Sequence, residues 1–78
     1  MTIAMAEARL KAAELRVKAA SQRSMASSYM AQAGKPAYDG QSEICMDKSA
    51  QAASYAERTE AEADLIIAKA EAAERGEQ

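Results

Sequence analysis

One short segment rich in Gly and Pro, residues 34–40, divides this chain into two alanine-rich halves of nearly equal length. Both halves consist mostly of strong helix formers, so each is expected to form one long helix. The sequence therefore predicts an all-α fold, an antiparallel two-helix hairpin of coiled-coil type about 50 Å long. Helix 1 is expected at about residues 2–33, the turn at 34–41 and helix 2 at about 42–75, with Asp39 or Ser42 as its cap and Gly76 as its stop.

The core of such a hairpin would be thin. The 78 residues form at most one domain, residues 1–78, and much of the 49% hydrophobic content is alanine, while Phe and Trp are absent. A two-helix hairpin of this composition buries too little apolar area to offset the entropy lost on ordering the chain. We therefore expect self-association into a four-helix or larger bundle, with a homodimer favoured.

Apolar stripes run along both predicted helices. We call two of them, on opposite sides of helix 1, the Ile3 stripe (Ile3, Ala6, Leu10, Ala13, Val17, Ala20, Ser24, Ser27, Ala31) and the Leu15 stripe (Met5, Ala8, Ala12, Leu15, Ala19, Ala26, Tyr29). The Ser49 stripe of helix 2 contains Ser42, Cys45, Ser49, Ala52, Ala56, Thr59, Ala63, Ile66, Ala70 and Ala73. The heptad pattern predicts that the Ile3 stripe packs on the Ser49 stripe. The Leu15 stripe is then left for a second layer of helices, as is a weaker stripe around Leu65.

Charge also separates by helix. Residues 1–34 carry five basic and two acidic residues, a net charge of +3, whereas residues 41–78 carry four basic and nine acidic residues, a net charge of −5. Opposite fields favour side-by-side packing of the two helices. A basic strip and an acidic strip both step by seven, but the heptads assigned above do not bring them together. Either the helix 2 heptad is assigned wrongly or the strips meet across an oligomer interface; they are Arg9, Arg16, Arg23 and Glu57, Asp64, Glu71.

Bulky side chains gather near the turn. Tyr and Met are enriched at the centres of protein interfaces, so these residues are candidates for partner binding. An alternative is that they form the hydrophobic plug of the closed end. The candidate protein-binding residues are Met25, Tyr29, Met30, Tyr38, Met46 and Tyr55, with Leu15 for the second face.

Catalytic chemistry is not indicated. The chain has no histidine, so it lacks the usual general base and metal ligand, and Cys45 is expected to be a small buried hydrophobe. Glu57, Glu60 and Asp64 have metal-compatible spacing, but they are expected to face solvent. We predict no enzymatic activity, no cofactor and no metal. A single cysteine and the lack of a long apolar run predict a cytoplasmic protein without a membrane span.

These observations favour a non-catalytic protein–protein interaction module, a small homo-oligomeric adaptor or inhibitor that binds and blocks or modulates a larger protein. One alternative is a structural subunit of a helical ring, tube or layer. A second is an RNA- or DNA-binding hairpin dimer that uses the basic strip Arg9, Arg16 and Arg23. The overall charge of −2 argues against this nucleic-acid alternative.

Overall fold

A computed structural model describes residues 2–35 and 40–76 of the chain. Two helices, α1 (Ile3–Ala33) and α2 (Ser42–Glu74), pack along each other in opposite directions. The hairpin measures 57 × 18 × 10 Å. The predicted all-α hairpin is confirmed, and both helices begin and end within one residue of the predicted positions.

Side chains at the helix ends satisfy part of the free backbone groups there. The Thr2 hydroxyl accepts a hydrogen bond from the Met5 N–H at 3.1 Å and thereby caps α1. The prediction that Ser42 caps α2 is wrong, since its hydroxyl donates to the Ala33 carbonyl at 3.0 Å. This bond ties the start of α2 to the last turn of α1, where carbonyls lack helical partners. Asp39, the other predicted cap, lies outside the described residues.

Glycine is required just before α2. Gly40 has φ +86°, and a Cβ built there would meet no atom within 4 Å, so only the backbone conformation opposes a side chain. We expect Gly40→Ala to lower the free energy of unfolding by about 1 kcal/mol. Gly34→Ala is the matched control, because Gly34 has φ −89° and its Cβ would make only an ordinary contact. That variant should be neutral or slightly stabilising. Urea unfolding that finds equal losses would contradict this assignment.

The interface between the helices uses the Leu15 stripe, not the Ile3 stripe. Its members Met5, Ala12, Leu15 and Ala19 are buried. The Ile3 stripe faces outward, with Ile3 80%, Leu10 63% and Val17 70% exposed. The predicted core face of helix 1 is therefore wrong. The Ser49 stripe is confirmed, since its members Cys45, Ser49, Ala52, Ala56, Thr59 and Ala63 are buried.

Small residues on both stripes bring the two helices close together. Ala12 and Ala63 have no exposed surface and form the centre of the core with Leu15, against which Ile66 and Ile67 pack. The Ser49 hydroxyl crosses the interface and donates to the Ala26 carbonyl at 2.9 Å. No large side chain is wholly buried among the described residues, so the core is as thin as its composition predicts.

The Leu15 stripe also brings the basic strip to the acidic edge of α2. Arg16 Nη2 lies 3.2 Å from Asp64 Oδ1, and Arg23 Nε lies 2.6 Å from Glu60 Oε1. Both predicted explanations for the mismatched strips are therefore wrong. The strips meet within one chain, and it is the helix 1 heptad, not that of helix 2, that differs from the assignment.

Candidate protein-binding surfaces

Leu15 is not on an open surface. It was a candidate for binding a partner through a second face, but it is 7% exposed and packs between α1 and α2. It is the large aliphatic of the buried core cluster, whose other buried members are alanines. Leu15 therefore contributes to the stability of the hairpin, and the prediction that it lies on a partner-binding face is wrong.

Three of the candidate residues come together in one groove, which we call the turn-end groove. Met25, Tyr29 and Tyr55 line it, and its volume is about 690 Å³. The Lys48 ammonium lies 5.7 Å from the centroid of the Tyr29 ring, within the range of a cation–π contact. Arg58 lines the groove as well, and among the described residues no carboxylate does. The groove thus combines aromatic and thioether surface with two positive charges.

Met30 and Met46 lie on the other edge of the hairpin. Met30 follows Arg23 by one heptad, and Met46 precedes Glu60 by two, so helical periodicity places both on the edge where Arg23 and Glu60 pair. Each side chain is about half exposed. The predicted turn-end set is therefore divided between two edges, and its remaining member, Tyr38, lies outside the described residues.

The described turn-end side chains do not form a closed hydrophobic plug. Met25, Met30, Ile44, Met46 and Tyr55 are all exposed, and Tyr29 is half-buried. Cys45 is the exception, a buried free thiol inside the Ser49 stripe, where the sequence predicts a small hydrophobe. The turn end thus presents several large apolar side chains to solvent. Such clusters are unusual on a surface that binds no partner.

The basic strip is largely used within the chain. Arg16 and Arg23 pair with Asp64 and Glu60, and the hydrogen bond from Arg23 to Glu60 raises the pKa of Arg23 above its ordinary value. Neighbouring carboxylates thus neutralise two of the three arginines that the nucleic-acid alternative requires to bind a phosphate backbone. Arg9 is exposed and makes no ion pair in the described part of the chain.

The Ile3 stripe is an exposed surface, although the heptad pattern predicts it as the core face of helix 1. A signal that could have identified it is present in the basic strip. Each arginine of the strip lies between the two stripes of α1, but the acidic strip of α2 is reached only when the Leu15 stripe faces α2. Pairing of the basic strip with the acidic strip therefore predicts that the Ile3 stripe lies on the outer surface of the hairpin.

Comparison with protein-family models, curated proteins and solved structures finds no match for this chain. Across residues 2–35 and 40–76, neither helix has an apolar stretch long enough to cross a bilayer.

Proposed function

We propose that this chain is a non-catalytic protein–protein interaction module, a small homo-oligomeric adaptor or inhibitor that acts by binding a larger protein. The observation that carries the proposal is the distribution of its apolar side chains. Ile3, Leu10, Val17, Met30 and Tyr55 face solvent, while the interface between α1 and α2 is built mainly from small residues. Exposed apolar groups of this size are stabilised when another protein covers them. The single thiol, Cys45, suits work in a reducing cytoplasm.

We assign the turn-end groove to the larger partner. Tyr29, Tyr55 and Met25 offer apolar area, and rigid aromatic rings bury area at little cost in side-chain entropy. Lys48 and Arg58 add positive charge without a carboxylate among the described lining residues. A partner segment that carries apolar side chains beside acidic residues has the complementary chemistry.

The test begins with capture of partners from the native host by the wild-type chain, with identification by mass spectrometry. The dissociation constant of the captured protein is then measured for wild type, Tyr55→Ala and Arg58→Glu. We expect each variant to weaken binding by about 10-fold or more, since aromatic and arginine side chains dominate interface energies. Both side chains are exposed in the free hairpin, so its fold should persist.

Lys11→Glu is the matched control for charge. Lys11 is exposed on α1, far from the turn, and its replacement changes the net charge as Arg58→Glu does. We expect it to leave the dissociation constant unchanged at moderate salt. Equal affinity of wild type, Tyr55→Ala and Arg58→Glu for every captured protein would refute the assignment of the groove.

A structural subunit of a ring, tube or layer is the second candidate. The exposed Ile3 stripe favours it, because a surface that packs on further copies can build a larger assembly. Light scattering after size exclusion separates the two candidates. A defined small oligomer fits the interaction module, whereas a large closed or open assembly fits the subunit.

A further inference from the structure

The Ile3 stripe has the pattern of a coiled-coil seam. Its residues alternate in steps of three and four from Ile3 to Ala31, over four heptads and about 42 Å of helix. Every one of them is exposed, and none is charged. The larger side chains, Ile3, Leu10 and Val17, alternate with alanine, which allows a second helix to approach closely.

A second copy of this stripe is a better partner than the outer face of α2. The outer face of α2 carries Ile44 and Leu65, but Asp47, Gln51 and Arg58 interrupt the apolar surface between them. A stripe without charged residues is best buried by another stripe without charged residues, because burying Asp47 or Arg58 without a partner is costly. Among the described residues, the Ile3 stripe itself is the surface that fits.

The charges beside the stripe decide the direction of the second copy. Glu7 and Glu14 lie along one edge, and the basic strip Arg9, Arg16 and Arg23 lies along the other. In a parallel pair, a residue on the second edge faces the residue five positions later on the first edge of its neighbour. Arg9 then faces Glu14 of the second copy, twice by symmetry. In an antiparallel pair each edge meets the same edge of its neighbour, so no arginine of the basic strip faces a glutamate of the second copy.

The pairing within the chain is consistent with this arrangement. In a parallel pair, Arg16 and Arg23 would face the neutral Ser21 and Ser28, and these two arginines already pair with α2. Arg9, whose counterpart would be a glutamate, makes no ion pair in the described part of the chain.

We infer that the Ile3 stripe is a parallel homodimer interface, held in register by reciprocal pairing of Arg9 with Glu14 of the second copy. The Leu15 and Ile3 stripes lie on opposite sides of α1, so the dimer places the two α1 helices at the centre and one α2 on each flank. This inference deepens the proposed function, on which it rests, because it names a second copy as one of the bound proteins and leaves the turn-end groove free.

Charge exchange tests the direction of the pair. Sedimentation equilibrium at low salt should find a dimer for wild type, and Arg9→Glu or Glu14→Arg should each raise its dissociation constant by about 10-fold. The double variant should return to within about 3-fold of wild type. In an antiparallel dimer no Arg–Glu pair joins the copies, so neither single change would weaken the dimer in this way, and single variants that dimerise as tightly as wild type or more tightly would overturn the inference. Lys18→Glu, exposed on α1 but away from the stripe, is the control and should have little effect.

Cysteine crosslinking gives a second measurement that does not depend on affinity. In a Cys45→Ala background, Ile3→Cys and Val17→Cys are oxidised separately under mild conditions. A parallel pair places each position opposite itself, so both variants should form covalent dimers, while Lys18→Cys should not. In an antiparallel pair only a residue beside the two-fold axis can face its own copy, so at most one of the two variants would form a covalent dimer, and crosslinking of one variant alone would overturn the inference. Failure of both to crosslink would overturn the inference.

Leu10→Lys separates this inference from the proposed function. Leu10 is 63% exposed in the hairpin, so its replacement should spare the contacts between α1 and α2. We expect the dimer dissociation constant to rise by about 100-fold or more, while the affinity of the turn-end groove for a captured protein is retained. A wild-type chain that sediments as a monomer would refute the dimer. It would not refute the assignment of the turn-end groove, which Tyr55→Ala and Arg58→Glu test separately.

Discussion

Leu15→Ala is expected to lower the free energy of unfolding by about 2–3 kcal/mol, which is enough to unfold much of so small a domain. Leu15 is 7% exposed and is the large aliphatic of a core cluster otherwise built around Ala12 and Ala63. Alanine neighbours on two close helices have little freedom to collapse into the cavity that its removal leaves. Urea unfolding followed by circular dichroism at one fixed protein concentration measures the change.

Leu65→Ala is the matched control for this prediction. Leu65 lies on α2 and is 53% exposed, so the same chemical change there should cost about 0.5 kcal/mol or less. The sequence pattern places Leu15 and Leu65 in the same class, as apolar residues of second faces. Equal losses for the two variants would show that Leu15 does not lie in the core between α1 and α2.

Ala63→Leu should have the second largest effect, a loss of about 1–3 kcal/mol through overpacking. Ala63 has no exposed surface, and it lies in the core cluster with Ala12 and Leu15. A larger side chain at this position forces α1 and α2 apart. That separation opens the contacts around Leu15 and Ala12. The midpoint of urea unfolding reports the loss.

Ala61→Leu is the control, two residues earlier on an exposed face of α2. Leu and Ala are both strong helix formers, so the exposed substitution should change stability by only a few tenths of a kcal/mol. If Ala63→Leu were as stable as Ala61→Leu, the interface between the helices could not be closely packed at this point.

The sequence predicted the hairpin and the Ser49 stripe well, for identifiable reasons. Gly34, Pro36 and Gly40 are concentrated in one segment, and the flanking residues strongly favour helix, so the helix bounds follow from local preferences. On α2 the face opposite the Ser49 stripe carries Asp47 and Arg58, which leaves one apolar side to bury.

The sequence did not settle which side of α1 faces α2. The Ile3 and Leu15 stripes have the same period and similar alanine content, so the hydrophobic pattern favours neither clearly. Contacts between the helices distinguish them, because with the Leu15 stripe inward Arg16 and Arg23 reach Asp64 and Glu60.

The candidate site was predicted only in part, because the sequence does not fix which side of α1 faces α2. The sequence placed Met25, Tyr29 and Tyr55 together near the turn, and the structure brings them into one groove. It could not separate them from Met30 and Met46, because the edge on which each residue lies depends on the rotation of α1 about its axis.

The sequence by itself determined two long helices joined by one turn, since helix propensity and the positions of Gly and Pro are local properties of the chain. Only the tertiary structure decided that Leu15 is buried and that Ile3, Leu10 and Val17 face solvent. That choice depends on how one helix fits another, on close approach of alanines and on charges brought together from distant positions. Such contacts belong to the pair of helices, and neither helix alone contains them.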